Sequence, residues 1–234
     1  VGPNPALNGY IRSEGEEIRI IAGAAEGGAA LVVAGNSGIR KPAAFRGKRV
    51  GTPQLGNTQD VAARAWLRAQ GFRVTLTGGD VSVLPAANPD LLQLFTQGRI
   101  DAVWTVEPWV SRLEQEAGAQ VFLEQNDAIT TVLVASARYL SRHPAVAERF
   151  RRAHVELTAW INAHPAEAME LTRSGLRKRS NNKPNLSGQI SVMPKAYATN
   201  DPAADPRPGP TGMFCSRAQR MKSAVIRKYD AKPS

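Results

Sequence analysis

A short stretch, residues 48–61, limits what this chain can fold into, because its pattern is that of a strand leading through a tight turn into a helix. Val50 is the β-branched centre of the strand, which a proline and a glycine then end. Asn57 or Thr58 can cap the helix, which we expect to end at Gly71 after about three to four turns. Such a unit directs free backbone N–H groups towards the carboxyl end of a sheet, where a small anion such as phosphate, sulfate, a sulfonate, nitrate or a carboxylate can bind.

The same turn is compatible with a second interpretation, in which it binds nothing. Many α/β units have a small polar turn before a helix and no ligand. Asp60 lies in the first helical turn, where its carboxylate would partly neutralise the helix dipole and weaken the attraction for an anion. The turn has neither the Gly-Lys-Ser/Thr of a Walker loop nor enough glycines for a dinucleotide-binding fingerprint. The local pattern therefore leaves both interpretations open.

The length and the residue content of the chain set further bounds. A chain of 234 residues can bury one sizeable core or two small lobes. Its one cysteine, Cys215, excludes an intrachain disulfide and a cysteine-based zinc cluster. No run of about 18 apolar residues is present, so we expect no membrane-spanning helix. The sequence starts at Val1 without a methionine or a signal peptide, and we expect it to be a processed or truncated product.

The positive charge lies almost entirely in the last part of the chain. Residues 173–234 carry 13 Lys and Arg against 3 Asp and Glu, whereas residues 1–172 carry 17 of each, which accounts for the formal charge of +10. The last part also holds 7 of the 16 prolines, contains no Glu and lacks an apolar helical period. We therefore expect the residues after about Arg173 to be disordered or poorly packed. A nucleic-acid partner is not expected, because the basic residues are accompanied neither by aromatic residues between them nor by a helix that could recognise base edges.

Strands and helices alternate along residues 1–172. This alternation predicts the α/β class, with mostly parallel sheets flanked by helices and arranged in two lobes. The predicted strands besides the one at Val50 cover residues 18–24, 30–34, 73–77, 81–84, 100–106, 120–123 and 130–135, and further helices are predicted near Pro5, at residues 90–97 and 107–118, and from Pro144 onwards.

Three histidines, His143, His154 and His164, are the candidates for acid–base or metal chemistry. His143 and His164 precede prolines at expected helix starts, and His154 is too far from His164 along a helix to share a metal with it. The sequence has no Gly-x-Ser-x-Gly elbow and no pair of carboxylates at a fixed spacing. We therefore expect no catalytic residue, no metal and no cofactor, and the protein is not predicted to be an enzyme.

Glu107 follows a predicted buried strand and stands beside Pro108 and two indoles, Trp104 and Trp109. In one interpretation these residues line a cleft, where the carboxylate takes a ligand ammonium group and an indole covers apolar surface. In the other, the tryptophans pack in the core and the carboxylate caps the following helix. The pattern favours neither of the two.

Several motifs between Val1 and about Leu171 occur in an order that is typical of one known family. They are VGPNPAL (1–7), IIAG (20–23) with LVV (31–33), GKRVGTP (47–53) with GNTQD (56–60), DAVW (101–104) with EPW (107–109), and ARYL (137–140) with HP (143–144). In these motifs the chain resembles the solute-binding proteins of ABC importers for aliphatic sulfonates, taurine and nitrate. That family also includes binders of other small organic molecules and relatives that make a thiamin pyrimidine precursor.

The resemblance implies a two-lobed periplasmic-binding-protein fold, with the ligand in the cleft between lobes that close on a hinge. Residues 1–46 and 127–172 are then expected to form a first lobe that is incomplete, residues 47–126 a second lobe, and residues 173–234 a tail. The implied protein is an extracytoplasmic, periplasmic monomer. It would bind a small anionic or zwitterionic solute, such as a sulfonate, taurine or nitrate, and deliver it to an ABC permease in the membrane.

The resemblance also indicates where the ligand would bind. The turn before the helix of the second lobe would meet the ligand anion, while Asn4 and the Gly27-Gly28 pair would face the cleft from the first lobe. With the candidates described above, the predicted ligand-binding residues are Asn4, Gly27, Gly28, Gly56, Asn57, Thr58, Gln59, Trp104 and Glu107.

Two alternatives to a working importer component stay open. One is an enzyme related to the pyrimidine-precursor synthases, which would need a reactive histidine or a metal in the cleft. The other is a non-functional fragment, because the family's first strand–helix unit and its closing helices are not found at the two ends of this sequence. A shifted reading frame would explain the basic, glutamate-free end after about Arg173, and a natural basic extension is the second explanation.

Overall fold

The computed structural model describes residues 1–76 and 78–179. A 3₁₀ turn at Pro42–Phe45 precedes β3. The helices and strands are α1 (Pro3–Arg12), β1 (Ile18–Glu26), β2 (Ala29–Ala34), β3 (Arg49–Thr52), α2 (Thr58–Ala69), β4 (Ser82–Pro85), α3 (Asn88–Thr96), β5 (Ala102–Val106), α4 (Trp109–Ala117), β6 (Ala119–Gln125), β7 (Ile129–Ser136), α5 (Ala137–Arg142), α6 (Pro144–Ala163) and α7 (Pro165–Arg179).

The larger sheet has five strands in the order β4-β3-β5-β2-β6. β3 runs parallel to β4 and β5, whereas β2 runs antiparallel to β5 and β6. The predicted α/β class with helix-flanked sheets is confirmed, but the sheet is mixed rather than mostly parallel. The run of apolar residues in β2 is buried along nearly its whole length, and such a run indicates a central strand without indicating its direction.

Helices cover both faces of the larger sheet, and the side chains of its central strands alternate between these faces. Leu31 and Trp104 belong to a core that includes Phe45 and residues of α2, whereas Val32 and Val103 belong to a second core with residues of α3 and α4. Each of these five side chains is at most 1% exposed. The period-two alternation of β-strands explains how β2 and β5 supply both cores at once.

The smaller sheet consists, within the described residues, of β1 and β7, which pair antiparallel from Ile18 opposite Ser136 onwards. Both α1 and α6 contact this sheet. His154 on α6 is hydrogen-bonded through Nε2 to the Gly23 carbonyl oxygen at 2.8 Å, which fixes α6 across β1. The chain passes between the two sheets twice, once from β1 to β2 and once from β6 to β7.

The strand pairing corrects one predicted lobe boundary. Residues 1–46 are predicted to lie in one lobe, but β2 at Ala29–Ala34 pairs with β5 and β6, which belong to the other predicted lobe. A strand finds its partners through contacts with residues far away in the sequence, and an apolar run does not identify them. The rest of the division into lobes stays a prediction.

The helix α2 forms as the sequence predicts. Asn57 is its N-cap, since Asn57 Oδ1 accepts a hydrogen bond from the backbone amide of Asp60 at 2.8 Å. The helix ends at Ala69, and Gly71 follows with a φ of +82°, a conformation that residues with a side chain rarely adopt. Local signals therefore suffice to define both ends of α2.

The helix α6 also forms where the sequence predicts an amphipathic helix, but its apolar face is not in a core. Val146, Phe150 and Leu157 share that face and are 43%, 60% and 56% exposed. The spacing of apolar residues predicts the helix correctly, and it does not show whether another element covers the apolar face.

The last described helix, α7, extends to Arg179, six residues beyond the predicted end of the fold at Arg173. The remainder of the tail that we predict to be disordered, residues 180–234, lies outside the described residues. Among the helices that the structure describes, none is both long enough and apolar enough to cross a membrane.

Candidate functional site

A cavity of about 430 Å³ is bounded by residues of both sheets. The start of α1, the β1–β2 turn, the turn before α2, the end of β5 and the start of β7 form its wall. No lining residue belongs to either of the two cores of the larger sheet. The lining residues are Val1, Gly2, Pro5, Gly27, Gly28, Gln54, Asn57, Thr58, Gln59, Val106, Glu107, Thr130 and Thr131.

The topology of the larger sheet explains why two distant parts of the sequence meet in this cavity. β3 and β5 are adjacent and parallel, with Val50 opposite Ala102. The residues that follow adjacent parallel strands lie at the same edge of a sheet. The turn before α2 and Glu107 at the end of β5 therefore come together there.

The structure brings most of the predicted ligand-binding residues together. Asn4 and Gly56 lie beside the cavity: the Asn4 amide donates to Thr58 Oγ1 at 3.4 Å, and Gly56 forms the turn before α2 with a φ of +74°. Their roles towards a ligand stay predictions, as do those of the residues in the wall. The predicted residues that line the cavity are Gly27, Gly28, Asn57, Thr58, Gln59 and Glu107.

Trp104 does not reach the cavity, so its predicted place in the ligand site is wrong. Its side chain is 1% exposed, and its ring lies edge-on to Trp66 of α2 at a centroid distance of 6.1 Å. Its Nε1–H donates to Gln125 Oε1 at 3.1 Å. The reason lies in the geometry of β5, which turns Trp104 onto one face of the sheet, whereas the cavity lies at the strand end, at Val106 and Glu107.

The amino end of α2 presents hydrogen-bond donors to the cavity. The backbone amides of Thr58 and Gln59 have no acceptor among the described residues. Gln59 is 8% exposed, and no described residue is hydrogen-bonded to its side-chain amide. Thr58 Oγ1 accepts from Asn4, which leaves the hydroxyl proton free to donate. Together with the positive end of the helix dipole, these groups can bind one negatively charged group.

Asp60 does not weaken this donor set in the way that its position suggests, because its carboxylate is buried and paired. Asp60 is 1% exposed, and its Oδ2 lies 3.0 Å from Nε of Arg64. It also accepts from Thr52 Oγ1 at 2.8 Å and from the Gly56 amide at 2.9 Å. The Arg64 guanidinium further donates to the Thr75 carbonyl oxygen at 2.8 Å. The carboxylate thus holds the turn in shape, and the i, i+4 spacing could have predicted its pairing with Arg64.

Glu107 caps a helix and also lies in the cavity wall. Its Oε2 accepts a hydrogen bond from the Ser111 amide at 3.2 Å, in the first turn of α4. Its own amide donates to the Gly28 carbonyl oxygen at 2.8 Å, which ties the end of β5 to the β1–β2 turn. Trp109 lies outside the lining, with the guanidinium of Arg112 over its ring at 4.7 Å.

None of the three histidines is among the residues that line the cavity. His154 faces β1, the His143 ring lies 5.0 Å from that of Tyr139, and the His164 ring stacks on that of Trp160 at 5.1 Å. Across residues 1–76 and 78–179, no group of three or more His, Cys, Asp or Glu side chains could hold a metal ion. The polar groups in the wall are backbone amides and carbonyls, side-chain amides, hydroxyls, the Val1 amino group and the Glu107 carboxylate.

Sequence reasoning missed the part of the wall that depends on strand pairing. Thr130 and Thr131 lie on β7, which reaches the cavity because it pairs with β1. Thr130 Oγ1 donates to the Gly27 carbonyl oxygen at 3.2 Å, across 103 positions of the sequence. No local signal marks these residues. The missed lining residues are Val1, Gly2, Pro5, Gln54, Val106, Thr130 and Thr131.

Comparison with known proteins gives one family match. A model of the NMT1-like family matches residues 5–174. A search of curated protein sequences gives no match.

Several solved structures are similar to this chain. The alkanesulfonate-binding protein SsuA from Xanthomonas axonopodis pv. citri, bound to MOPS, has 16% identity and a TM-score of 0.63, covering 100% of this chain and 75% of its own. The periplasmic aliphatic sulphonate binding protein SsuA from Escherichia coli has 17% identity and a TM-score of 0.63, with the same coverage of 100% and 75%. The periplasmic nitrate-binding protein NrtA from Synechocystis PCC 6803 has 19% identity and a TM-score of 0.61, covering 80% of this chain and 52% of its own. All three share their fold with this chain.

Proposed function

The chain belongs to the NMT1-like family, and from this premise we propose that it is a solute-binding protein that delivers a small anionic or zwitterionic solute to an ABC importer. The solute binds in the cavity between the two sheets. The protein works outside the cytoplasm as a monomer, with the membrane permease as its partner. It carries out no reaction on the solute and does not bind nucleic acid.

The observation that carries this proposal is the donor set at the amino end of α2. Two backbone amides, the Thr58 hydroxyl and the nearly buried Gln59 border one cavity. An anionic group placed there accepts hydrogen bonds from donors that have no partner among the described residues. Hydrogen bonds to a charged group contribute about 1.5–3 kcal/mol each, so a few of them are enough for useful affinity.

The similar solved structures support the class of solute. One was solved as an alkanesulfonate-binding protein bound to MOPS, and another is a nitrate-binding protein. They are binding proteins, which agrees with a transport role rather than an enzymatic one. Since their identity to this chain is 16% and 19%, they support the fold, and the choice of solute needs an experiment.

Thermal unfolding of the full chain tests the proposal. The panel contains alkanesulfonates, taurine, nitrate and phosphonates, with a neutral sugar and a cationic amine as comparisons. We expect at least one anionic or zwitterionic member to stabilise the protein by about 2.7 kcal/mol at 100 times its Kd. Stabilisation by the sugar or the amine, with none by the panel, would overturn the proposal.

A pair of variants tests the location of the site. Gln59→Leu removes the side-chain amide that borders the cavity and should reduce the stabilisation by the solute. Gln93→Leu removes the same group from an exposed position of α3 and should leave the stabilisation as it is in the wild type. If both variants retain full stabilisation, the solute binds elsewhere.

A further inference from the structure

The helix α6 packs on the smaller sheet without using its largest apolar side chains. The side chains on its packed face are small or polar: Ala147 and Thr158 are buried there. Three large apolar side chains lie on a neighbouring face of the helix, and all three are exposed. They extend over about 16 Å of the helix axis. We call them the α6 stripe, which consists of Val146, Phe150 and Leu157.

The helices α5 and α6 also carry an excess of positive charge. Residues 137–163 contain five Arg and two Glu, whereas the rest of residues 1–172 contains 12 Lys and Arg against 15 Asp and Glu. One of the two glutamates, Glu148, pairs with Arg151 at 2.7 Å. The other four arginines are exposed and form no ion pair with a described residue; they are Arg138, Arg142, Arg149 and Arg152.

We propose that α6 docks on the surface of an anionic membrane, with the α6 stripe among the lipid chains and the exposed arginines on the headgroup phosphates. Helices that combine an apolar stripe with arginines are typical of proteins that lie on a membrane surface. The long arginine side chain can reach the phosphate while apolar groups beside it enter the boundary of the acyl chains. The inference goes beyond the proposed function, and it does not depend on which solute binds.

Two other occupants of the α6 stripe fit the charges less well. A second copy of the chain would bring two helices of the same net charge against each other. Residues 180–234 follow α7 in the sequence, but they contain nine Lys and Arg against three Asp and Glu, so the exposed arginines repel them. Anionic lipid attracts these arginines and accepts the apolar side chains at the same time.

Docking through α6 leaves the solute cavity accessible. None of the residues that line the cavity belongs to α5, α6 or α7. The protein can therefore bind its solute while it lies on the membrane that contains the proposed permease. A protein held on this surface finds its partner by a search in two dimensions.

Flotation of the full wild-type chain with lipid vesicles is the first experiment. The vesicles contain phosphatidylcholine, either alone or mixed with phosphatidylglycerol. We expect the bound fraction to be at least about fivefold higher on the anionic vesicles and to fall at high salt, because screening weakens the attraction of the arginines. Equal binding to both kinds of vesicle, or binding to neither, would overturn the proposal.

A pair of double variants separates the α6 stripe from simple attraction by the net charge of +10. Phe150→Ser with Leu157→Ser leaves the charge unchanged and should lower the fraction bound to anionic vesicles at least about fivefold. Ile11→Ser with Leu76→Ser is the matched control, because these side chains are 68% and 71% exposed outside α5, α6 and α7. This control should bind like the wild type. Wild-type binding by the α6 variant would show adsorption by charge alone and refute the docking of α6.

A second pair of variants tests the arginines. Arg149→Gln with Arg152→Gln should lower binding to anionic vesicles at least about fivefold. Arg12→Gln with Arg99→Gln removes the same charge from exposed positions outside α5 and α6 and should have little effect. Equal losses in the two variants would assign the binding to the net charge and overturn the proposal. This pair decides the question even if the serine variant of α6 fails to fold.

Light scattering without vesicles tests the second copy as the occupant. We expect the wild type and the variant with Phe150→Ser and Leu157→Ser to have the same monomeric mass. A wild-type dimer that these two substitutions convert into a monomer would assign the α6 stripe to a second copy of the chain and overturn the proposal.

Discussion

Gly2 packs against Thr58 so closely that a β-carbon on Gly2 would overlap the Thr58 hydroxyl oxygen. The two residues stand at the starts of α1 and α2, and both line the cavity. α1 contacts the smaller sheet, while α2 covers the larger one. The hydroxyl that we propose as a ligand contact is therefore also the point where the two helices meet.

Replacing Gly2 by Ala should weaken solute binding while the protein stays folded. The added methyl group displaces the Thr58 side chain or separates the two helix starts, and we expect roughly a tenfold loss of affinity, equivalent to one hydrogen bond. Calorimetric titration with a solute identified by the thermal-unfolding panel measures this loss of affinity. Gly175→Ala is the control, because an added β-carbon there meets nothing within 4 Å and the residue is exposed on α7. Equal losses in both variants would contradict the prediction.

Replacing Arg64 by Met should destabilise the protein strongly. The change leaves the Asp60 carboxylate buried without its cation, and loss of one partner from a buried pair costs about 3–5 kcal/mol. Urea unfolding at pH 7 measures the difference. Arg68→Met, one turn further along the same helix at an exposed position, also removes a cation and should cost less than about 1 kcal/mol. A similar loss of unfolding free energy in the two variants would show that Arg64 does not stabilise the buried Asp60 carboxylate.

Replacing Trp104 by Phe should lower stability and leave solute affinity unchanged. The smaller ring leaves a void beside Trp66 and removes the donor to Gln125, which together cost roughly 2–4 kcal/mol. Urea unfolding and calorimetric titration on the same preparation separate the two effects. A variant with wild-type stability but much weaker solute binding would show that Trp104 belongs to the ligand site.

We expect Asp80 to make the stability of the protein depend on pH in the acid range. A hydrogen bond from the Arg73 amide at 2.8 Å lowers the pKa of its carboxyl, and the Arg46 guanidinium 2.9 Å away lowers the pKa further, against the opposing effect of burial. A carboxyl whose pKa is lower in the folded state stabilises the protein above its ordinary pKa, near 4. This stabilisation disappears as the pH falls from about 4 through the lowered pKa.

Comparison of the wild type with Asp80→Asn tests this effect. We expect the wild type to have the higher urea midpoint at pH 7 and the difference to shrink only below about pH 4. Asp127→Asn, at an exposed position, should follow the wild type at every pH. A difference that stays constant down to pH 2.5 would show that Asp80 acts through packing and not through its charge.

The parts of the fold that depend on neighbouring residues could be predicted from the sequence. Asn57 caps α2 because its side chain reaches an amide three residues ahead, and both residues are visible in the local pattern. The direction of β2 could not be predicted, since its pairing with β5 and β6 involves residues far away in the sequence. The same applies to Trp104, because only the position of Trp66 shows that the indole lies in a core rather than in a cleft.

The candidate site also contains both residues that local sequence signals predict and residues that only the complete fold brings in. The start of α2 at residues 57–59 follows β3, and Glu107 follows β5. Residues after adjacent parallel strands share an edge of the sheet. Thr130 and Thr131 enter the wall only because β7 pairs with β1. Arg64 is an intermediate case: its spacing from Asp60 indicates a pair, but its burial depends on the complete fold.

The separation of the cavity wall from both cores of the larger sheet has a consequence for how such proteins diverge. Truncating a large core side chain costs about 2–5 kcal/mol, whereas surface substitutions away from helix caps and buried polar groups usually stay within about 0.5 kcal/mol. Under the proposed function, mutations at wall residues such as Thr131 can therefore alter the accepted solute while the protein stays folded. A duplicated copy of the gene can then come to encode a protein for a different solute in a few such steps, each of which leaves a folded protein for selection to act on.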